Sequence, residues 1–75
     1  MIKWTQSARK HSIGRASARF AMEAAGVPTV MDDGRLLYVA ADERGRELEI
    51  IAIPLDVGDL LVIHVMPTIL RTRNR

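Results

Sequence analysis

Three apolar runs separated by gaps of four residues dominate the second half of the chain. They cover residues 36–41 (LLYVAA), 46–54 (RELEIIAIP) and 59–66 (DLLVIHVM). The gaps, DERG and LDVG, each contain glycine and are too short for a helical crossover, so neighbouring runs are expected to pair as antiparallel hairpins. Pro67 ends the third run, because proline has no N–H to donate to a sheet ladder. The pattern predicts a three-stranded antiparallel meander.

The first part of the chain has helical signals. Thr5 can cap a brief helix that runs to Lys10 or His11, and Ser12 can cap a second one. Apolar residues then recur at helical spacing up to the stop signal Gly26-Val27-Pro28. The predicted fold class is α+β: two N-terminal helices packed on one face of a small antiparallel sheet of three to four strands, with Ile2 to Trp4 as the candidate fourth strand.

The register of the hairpins predicts which side chains share a face. Symmetrical four-residue loops would place eight apolar residues on the face that the helices cover: Leu37, Val39, Leu48, Ile50, Ala52, Leu61, Ile63 and Val65. The opposite face would then carry Tyr38, Glu49 and His64 in one cross-strand row. Its other end would carry four aliphatic residues, Ile51, Ile53, Leu60 and Val62.

Two interpretations fit the row that contains His64. Histidine changes its charge between pH 5 and 8, so an imidazole beside a carboxylate suits acid–base chemistry. A tyrosine, a glutamate and a histidine on a wet sheet face can equally form a polar cluster without a chemical role. The four aliphatic residues predict a contact with another protein, because little of the chain is left to cover them.

Size and charge narrow the class of protein. The 75 residues predict a single domain over 1–75 with no cysteine and therefore no disulfide or thiolate metal site. The start lacks the apolar segment of a signal peptide, and no apolar run approaches a membrane span. Residues 1–20 hold five basic and no acidic residues, whereas residues 32–59 hold eight acidic and three basic ones. Basic ends around an acidic middle favour a polyanion or an acidic protein as partner.

Several short motifs together resemble a known family. Lys3-Trp4 stands near the start, ARKH at residues 8–11 precedes an alanine-rich helix, and GRELEIIAI at residues 45–53 opens a strand. In this order the chain resembles the BrnT-like toxins of bacterial type II toxin–antitoxin modules, within the RelE/ParE-like superfamily. Lys10-His11 match the family's Lys-His pair, and Arg46 matches its strand arginine. The last strand differs, since it reads VIHVMP where the family carries an arginine-rich stretch.

The resemblance implies a cytoplasmic toxin that cuts RNA without a metal or other cofactor and forms a hetero-oligomer with a cognate antitoxin. The residues assigned to these roles are catalytic His64, Glu49, Arg46 and Tyr38, RNA-binding Lys10, His11, Arg44 and Arg71, and partner-binding Ile51, Ile53, Leu60 and Val62. Two alternatives remain open. One is a non-enzymatic protein-binding module of the ParE-like kind, which blocks a host protein. The other is a small nucleic-acid binder that works through its basic ends.

Overall fold

The structure is a computed structural model that describes residues 1–9 and 11–73, without the side chains of residues 71–73. Five strands and two helices follow one another, with single 3₁₀ turns at Ser7–Arg9 and Asp56–Gly58. The elements are β1 (Ile2–Trp4), α1 (Arg15–Ala25), β2 (Thr29–Val30), β3 (Leu36–Ala41), β4 (Glu47–Pro54), β5 (Leu60–Pro67) and α2 (Thr68–Arg73). The three strands predicted from the apolar runs are present to within one residue at each end.

The strands form one mixed sheet in the order β1-β5-β4-β3-β2. β1 is parallel to β5, and every other neighbouring pair is antiparallel. The predicted arrangement of two N-terminal helices on an antiparallel sheet of three to four strands is therefore wrong. The sheet has five strands, one α-helix lies between β1 and β2 in place of two N-terminal helices, and a short second helix follows β5.

Backbone conformation explains why the first predicted helix does not form. The Thr5 hydroxyl accepts a hydrogen bond from the Ala8 N–H at 3.2 Å, but it caps only one 3₁₀ turn. Ser12 then adopts a left-handed conformation with φ at 59°, which a helix cannot contain. Gly14, rather than Ser12, is the N-cap of α1, and no side chain caps it.

Helix α1 covers one face of the sheet through small side chains. Ala18, Ala21 and Met22 are its buried residues, and they lie on one side of the helix at spacings of three and four. Alanine lets the helix backbone approach the sheet closely while favouring helix formation. Gly26, with φ at 69°, ends α1 as the sequence predicts.

The β3–β4 hairpin is offset by one residue from the predicted register. Ala41 pairs with Glu47 rather than Arg46, so the turn holds five residues, 42–46. An offset of one residue exchanges the two faces of a strand. Leu36, Tyr38 and Ala40 therefore point toward α1, and the predicted inward positions of Leu37 and Val39 are wrong.

A β-bulge in β5 changes the predicted faces again. Ile51 pairs with His64 but Ala52 pairs with Val62, so Ile63 is an extra residue on β5. Val62 and Val65 are both buried in the core against Ile50 and Ala52. The inward prediction was correct for Leu48, Ile50, Ala52 and Val65. It was wrong for Leu61 and Ile63.

The buried carboxylate of Asp42 closes the five-residue turn. It accepts hydrogen bonds from the backbone N–H groups of Arg44 and Arg46, both at 2.9 Å, and from the Arg46 guanidinium at 2.9 Å. Burial opposes ionisation, but the hydrogen bonds from Arg46 and Arg44 outweigh it. The pKa of Asp42 therefore lies below its ordinary value of 3.8.

This turn predicts a specific acid sensitivity. A carboxylate whose folded-state pKa is lowered stabilises the fold above its ordinary pKa, and this contribution is lost as pH falls through the lowered value. Asp42→Asn should reduce the melting temperature by several degrees at neutral pH. The melting temperature of this variant should also fall less than that of the wild type between neutral pH and about pH 3. Thermal unfolding followed by circular dichroism measures both. The control is Asp32→Asn, because Asp32 is an exposed aspartate in the turn between β2 and β3. An unchanged acid drop in Asp42→Asn would contradict the prediction.

Candidate functional site

His64 and Glu49 form an ionisable pair on the face of the sheet that points away from α1. His64 Nε2 lies 3.1 Å from Glu49 Oε2. The Glu49 side chain is only 11% exposed, whereas the His64 side chain is 32% exposed. The Glu49 carboxylate is thus mostly shielded from solvent, whereas about a third of the His64 side chain is exposed to it.

The bulge and the strand register bring these two side chains together. Ile51 pairs directly with His64 and Glu49 pairs directly with Met66, so His64 and Glu49 are diagonal neighbours across β4 and β5. Long side chains bridge a diagonal of this kind. The predicted position of His64, beside Glu49 and away from the helix, is confirmed, although the contact is diagonal and not directly cross-strand.

The contact involves Nε2 of the imidazole and leaves Nδ1 outside it. When the carboxylate is ionised it only accepts hydrogen bonds, and the hydrogen bond is then donated by Nε2. In the neutral ring Nδ1 then holds the lone pair. A base oriented by a buried carboxylate is a common arrangement for proton transfer.

The other two predicted catalytic residues do not join this pair. Tyr38 lies on the α1 side of the sheet, where it is 7% exposed, and burial raises the pKa of its phenol above 10.0. Its predicted position in a row with Glu49 and His64 is wrong, because the register is offset. Arg46 lies in the β3–β4 turn, where its guanidinium is bound to Asp42.

The predicted RNA-binding residues are spread along the chain. His11 is half-buried between the first 3₁₀ turn and α1, and Arg44 is exposed in the β3–β4 turn. Within the described part of the chain, neither side chain is hydrogen-bonded to the His64–Glu49 pair. Lys10 lies outside the described residues. Arg71 belongs to α2, but its side chain lies outside the described part of the structure.

The face away from α1 is largely apolar. Ile51 and Ile53 lie on it as predicted, but Val62 is fully buried against α1's side of the sheet and Leu60 packs against the same core. The predicted outward positions of Leu60 and Val62 are therefore wrong. Leu37, Val39 and Leu61 occupy this face instead, as the cross-strand partners of Ile51, Glu49 and Ile53. We call the surface formed by Leu37, Val39, Ile51, Ile53 and Leu61 the open face.

Glu47, which the sequence places one step along from Glu49, has a polar partner that the sequence did not reveal, Thr68. The Thr68 hydroxyl donates a 2.7 Å hydrogen bond to Glu47 Oε1, and Glu47 is on the same face of β4 as Glu49. This bond ties the first residue of α2 to β4. Thr68 directly follows the proline that ends β5, and that position is the only signal in the sequence that could have drawn attention to it.

The described pocket does not include the pair. A pocket of about 330 Å³ lies at the start of α1, where Arg9, Ser12, Ile13, Gly14 and Arg15 line it, away from His64. Among the described residues, no three histidine, cysteine or acidic side chains lie close enough together to hold a metal ion.

The sequence matches no protein-family model, and comparisons with curated proteins and with solved structures find no match either. None of the helices in the described residues has the length and apolar character needed to cross a bilayer.

Proposed function

We propose that this chain is the toxin of a type II toxin–antitoxin module, acts in the cytoplasm and cuts RNA without a metal ion. The observation that carries the proposal is the His64–Glu49 pair, in which a buried carboxylate contacts a partly exposed imidazole on the face of the sheet away from α1. The resemblance to BrnT-like toxins supports the same class of protein. Experiments on this pair require the full chain, because Glu49 lies on β4 and His64 lies on β5.

The chemistry requires one base at the attacking oxygen. The 2′-hydroxyl of a ribose attacks the adjacent phosphorus, and Nδ1 of His64 takes its proton as the new P–O bond forms. Glu49 stabilises the imidazolium by accepting from Nε2. The P–O bond to the 5′-oxygen breaks, and that oxygen takes a proton from water. The products are a 2′,3′-cyclic phosphate and a 5′-hydroxyl.

The phosphate needs a cation as negative charge develops on it. Arg46 already neutralises Asp42, so we assign this role to Arg71 rather than to Arg46. Arg71 follows Thr68 by three residues in α2, and the Thr68–Glu47 hydrogen bond holds the start of that helix beside β4. Lys10, His11 and Arg44 are proposed as contacts to the rest of the RNA.

The open face favours a second candidate function. Five aliphatic residues on one sheet face form a surface that a protein partner would bury. In the toxin proposal this partner is the antitoxin. In the alternative the chain has no enzymatic activity and uses the same face to bind and block a host protein.

Expression and cleavage assays separate these functions. Expression of the wild-type chain alone should slow bacterial growth, and the purified protein should cut single-stranded RNA in the presence of EDTA. The cut ends should carry a 2′,3′-cyclic phosphate and a 5′-hydroxyl. Growth inhibition without RNA cleavage would favour the protein-binding function. No growth inhibition and no cleavage would contradict the toxin proposal.

A further inference from the structure

One edge of the sheet is left partly uncovered. The edge strand β2 has two residues and pairs only with Leu36 and Leu37 of β3. The remaining residues of β3, Tyr38 to Ala41, pair with β4 on one side. Among the described residues, no strand pairs with them on the other side. We call residues 38–41 the open edge.

The hydrogen-bonding pattern shows which backbone groups this edge presents. The Asp42 N–H donates to the Arg46 carbonyl, and the pairing from residue 36 to residue 41 is uninterrupted. Backbone groups alternate in direction along an antiparallel strand, so Ala40 and Tyr38 also point toward β4. Val39 and Ala41 therefore point their N–H and C=O groups outward. The hydrogen bond on the β2 side is consistent with this alternation. The Met31 N–H donates to the carbonyl of Arg35, so residue 35, like residues 39 and 41, points its backbone groups away from β4.

Features that normally protect a sheet edge are missing here. Edge strands are usually blocked by charged residues, prolines or bulges. The open edge reads Tyr-Val-Ala-Ala, its pairing with β4 has no bulge, Val39 is 43% exposed and Ala41 is also exposed. It therefore offers four outward backbone groups and apolar side chains for pairing with another strand.

We propose that the open edge pairs antiparallel with the open edge of a second copy of this chain. A two-fold axis at Ala40 would place Val39 of each copy opposite Ala41 of the other. Each outward N–H then meets an outward C=O, and four hydrogen bonds form across the interface. The edge is thus complementary to itself, which favours a second copy over an unrelated strand.

The ends of the open edge fit this arrangement. Continued pairing would place Asp42 of one copy opposite Tyr38 of the other, and Glu43 opposite Leu37, where β2 already lies. β3 ends at Ala41, and the chain turns at Asp42, so the partner strand leaves the edge where β2 begins. The axis is perpendicular to the sheet, so both copies keep α1 on the same side. The dimer would have one continuous ten-stranded sheet.

Proline scanning tests the proposal with a matched control. Ala41→Pro removes an N–H that points outward and leaves the bonds to β4 intact, and Val39→Pro does the same one step along. Each loses two symmetry-related hydrogen bonds, so we expect the dimer dissociation constant to rise about tenfold or more, with unchanged circular dichroism. Ala40→Pro removes an N–H that points to β4 and should instead destabilise the monomer.

Sedimentation equilibrium of the full chain over a hundredfold range of concentration gives the readout. A wild-type dimer that Ala41→Pro and Val39→Pro weaken supports the proposal. A monomeric wild type at the highest concentration, or a dimer that both variants leave unchanged, overturns it. The inference does not rest on RNA cleavage, and growth inhibition is not one of its readouts.

Discussion

His64→Ala is expected to lower the rate of RNA cleavage by about 10²–10⁴-fold, the usual loss for one acid–base group. The imidazole contacts the buried Glu49 carboxylate, and its side chain is 32% exposed. Removing it takes away the base while leaving the strand pairing in place. Growth inhibition by the expressed variant should disappear in parallel.

Two further variants make the His64 result specific. Glu49→Gln keeps a hydrogen-bond acceptor beside Nε2 but removes the negative charge, so it should reduce cleavage less than His64→Ala does. Ile63→Ala changes the other residue of the β5 bulge and should leave cleavage close to wild type. All three proteins must keep the wild-type circular dichroism spectrum. Full activity in folded His64→Ala, together with a loss in Arg71→Ala, would assign cleavage to the basic residues instead.

Strand positions could be predicted from the sequence because apolar runs and glycine-containing gaps are local signals. The register of β3 against β4 could not be predicted, because it depends on the length of the turn between them. Asp42 folds its carboxylate back onto the N–H groups of Arg44 and Arg46, which lengthens the turn from four residues to five. That single residue moves Tyr38 into the core and Val39 out of it. The composition of DERGR fits either turn length.

The correct position of His64 results from two offsets that cancel. In the β4–β5 hairpin Pro54 pairs with Leu60 rather than with Asp59, and this shift of one residue alone would turn His64 toward α1. The bulge at Ile63 adds one residue to β5 and turns His64 outward again, while Val62 stays in the core. No alternation in LLVIHVM marks the bulge. Glu49 needed no such correction, because the face assigned to each residue of β4 was right.

The first helix and the parallel strand show a different limit of sequence reasoning. Thr5 and Ser12 are both good N-cap residues, but capping propensity cannot tell a single 3₁₀ turn from a helix. β1 has three residues, and its parallel pairing with β5 joins segments almost sixty residues apart. Nothing local in Ile2 to Trp4 specifies that partner or its direction.

Val62→Asp is expected to unfold the protein, whereas Ile53→Asp is expected to leave it folded. Both variants replace an aliphatic residue by aspartate, and the two positions lie on adjacent strands. Val62 is fully buried in the core. An unpaired charge there costs several kcal/mol, comparable to the roughly 5–15 kcal/mol that stabilises a typical domain. Val62→Asp should therefore unfold the protein, which far-UV circular dichroism and urea titration would show.

Ile53 lies on the open face, opposite Leu61, and remains partly exposed. A carboxylate at this position stays hydrated, so Ile53→Asp should fold with a urea midpoint close to wild type. The same charge would have to be desolvated when a partner covers the open face, and loss of binding by about tenfold or more is expected in a co-purification with the antitoxin. A mutant that unfolds would mean that the open face belongs to the core. A folded mutant that binds the antitoxin as tightly as wild type would place the partner on another surface.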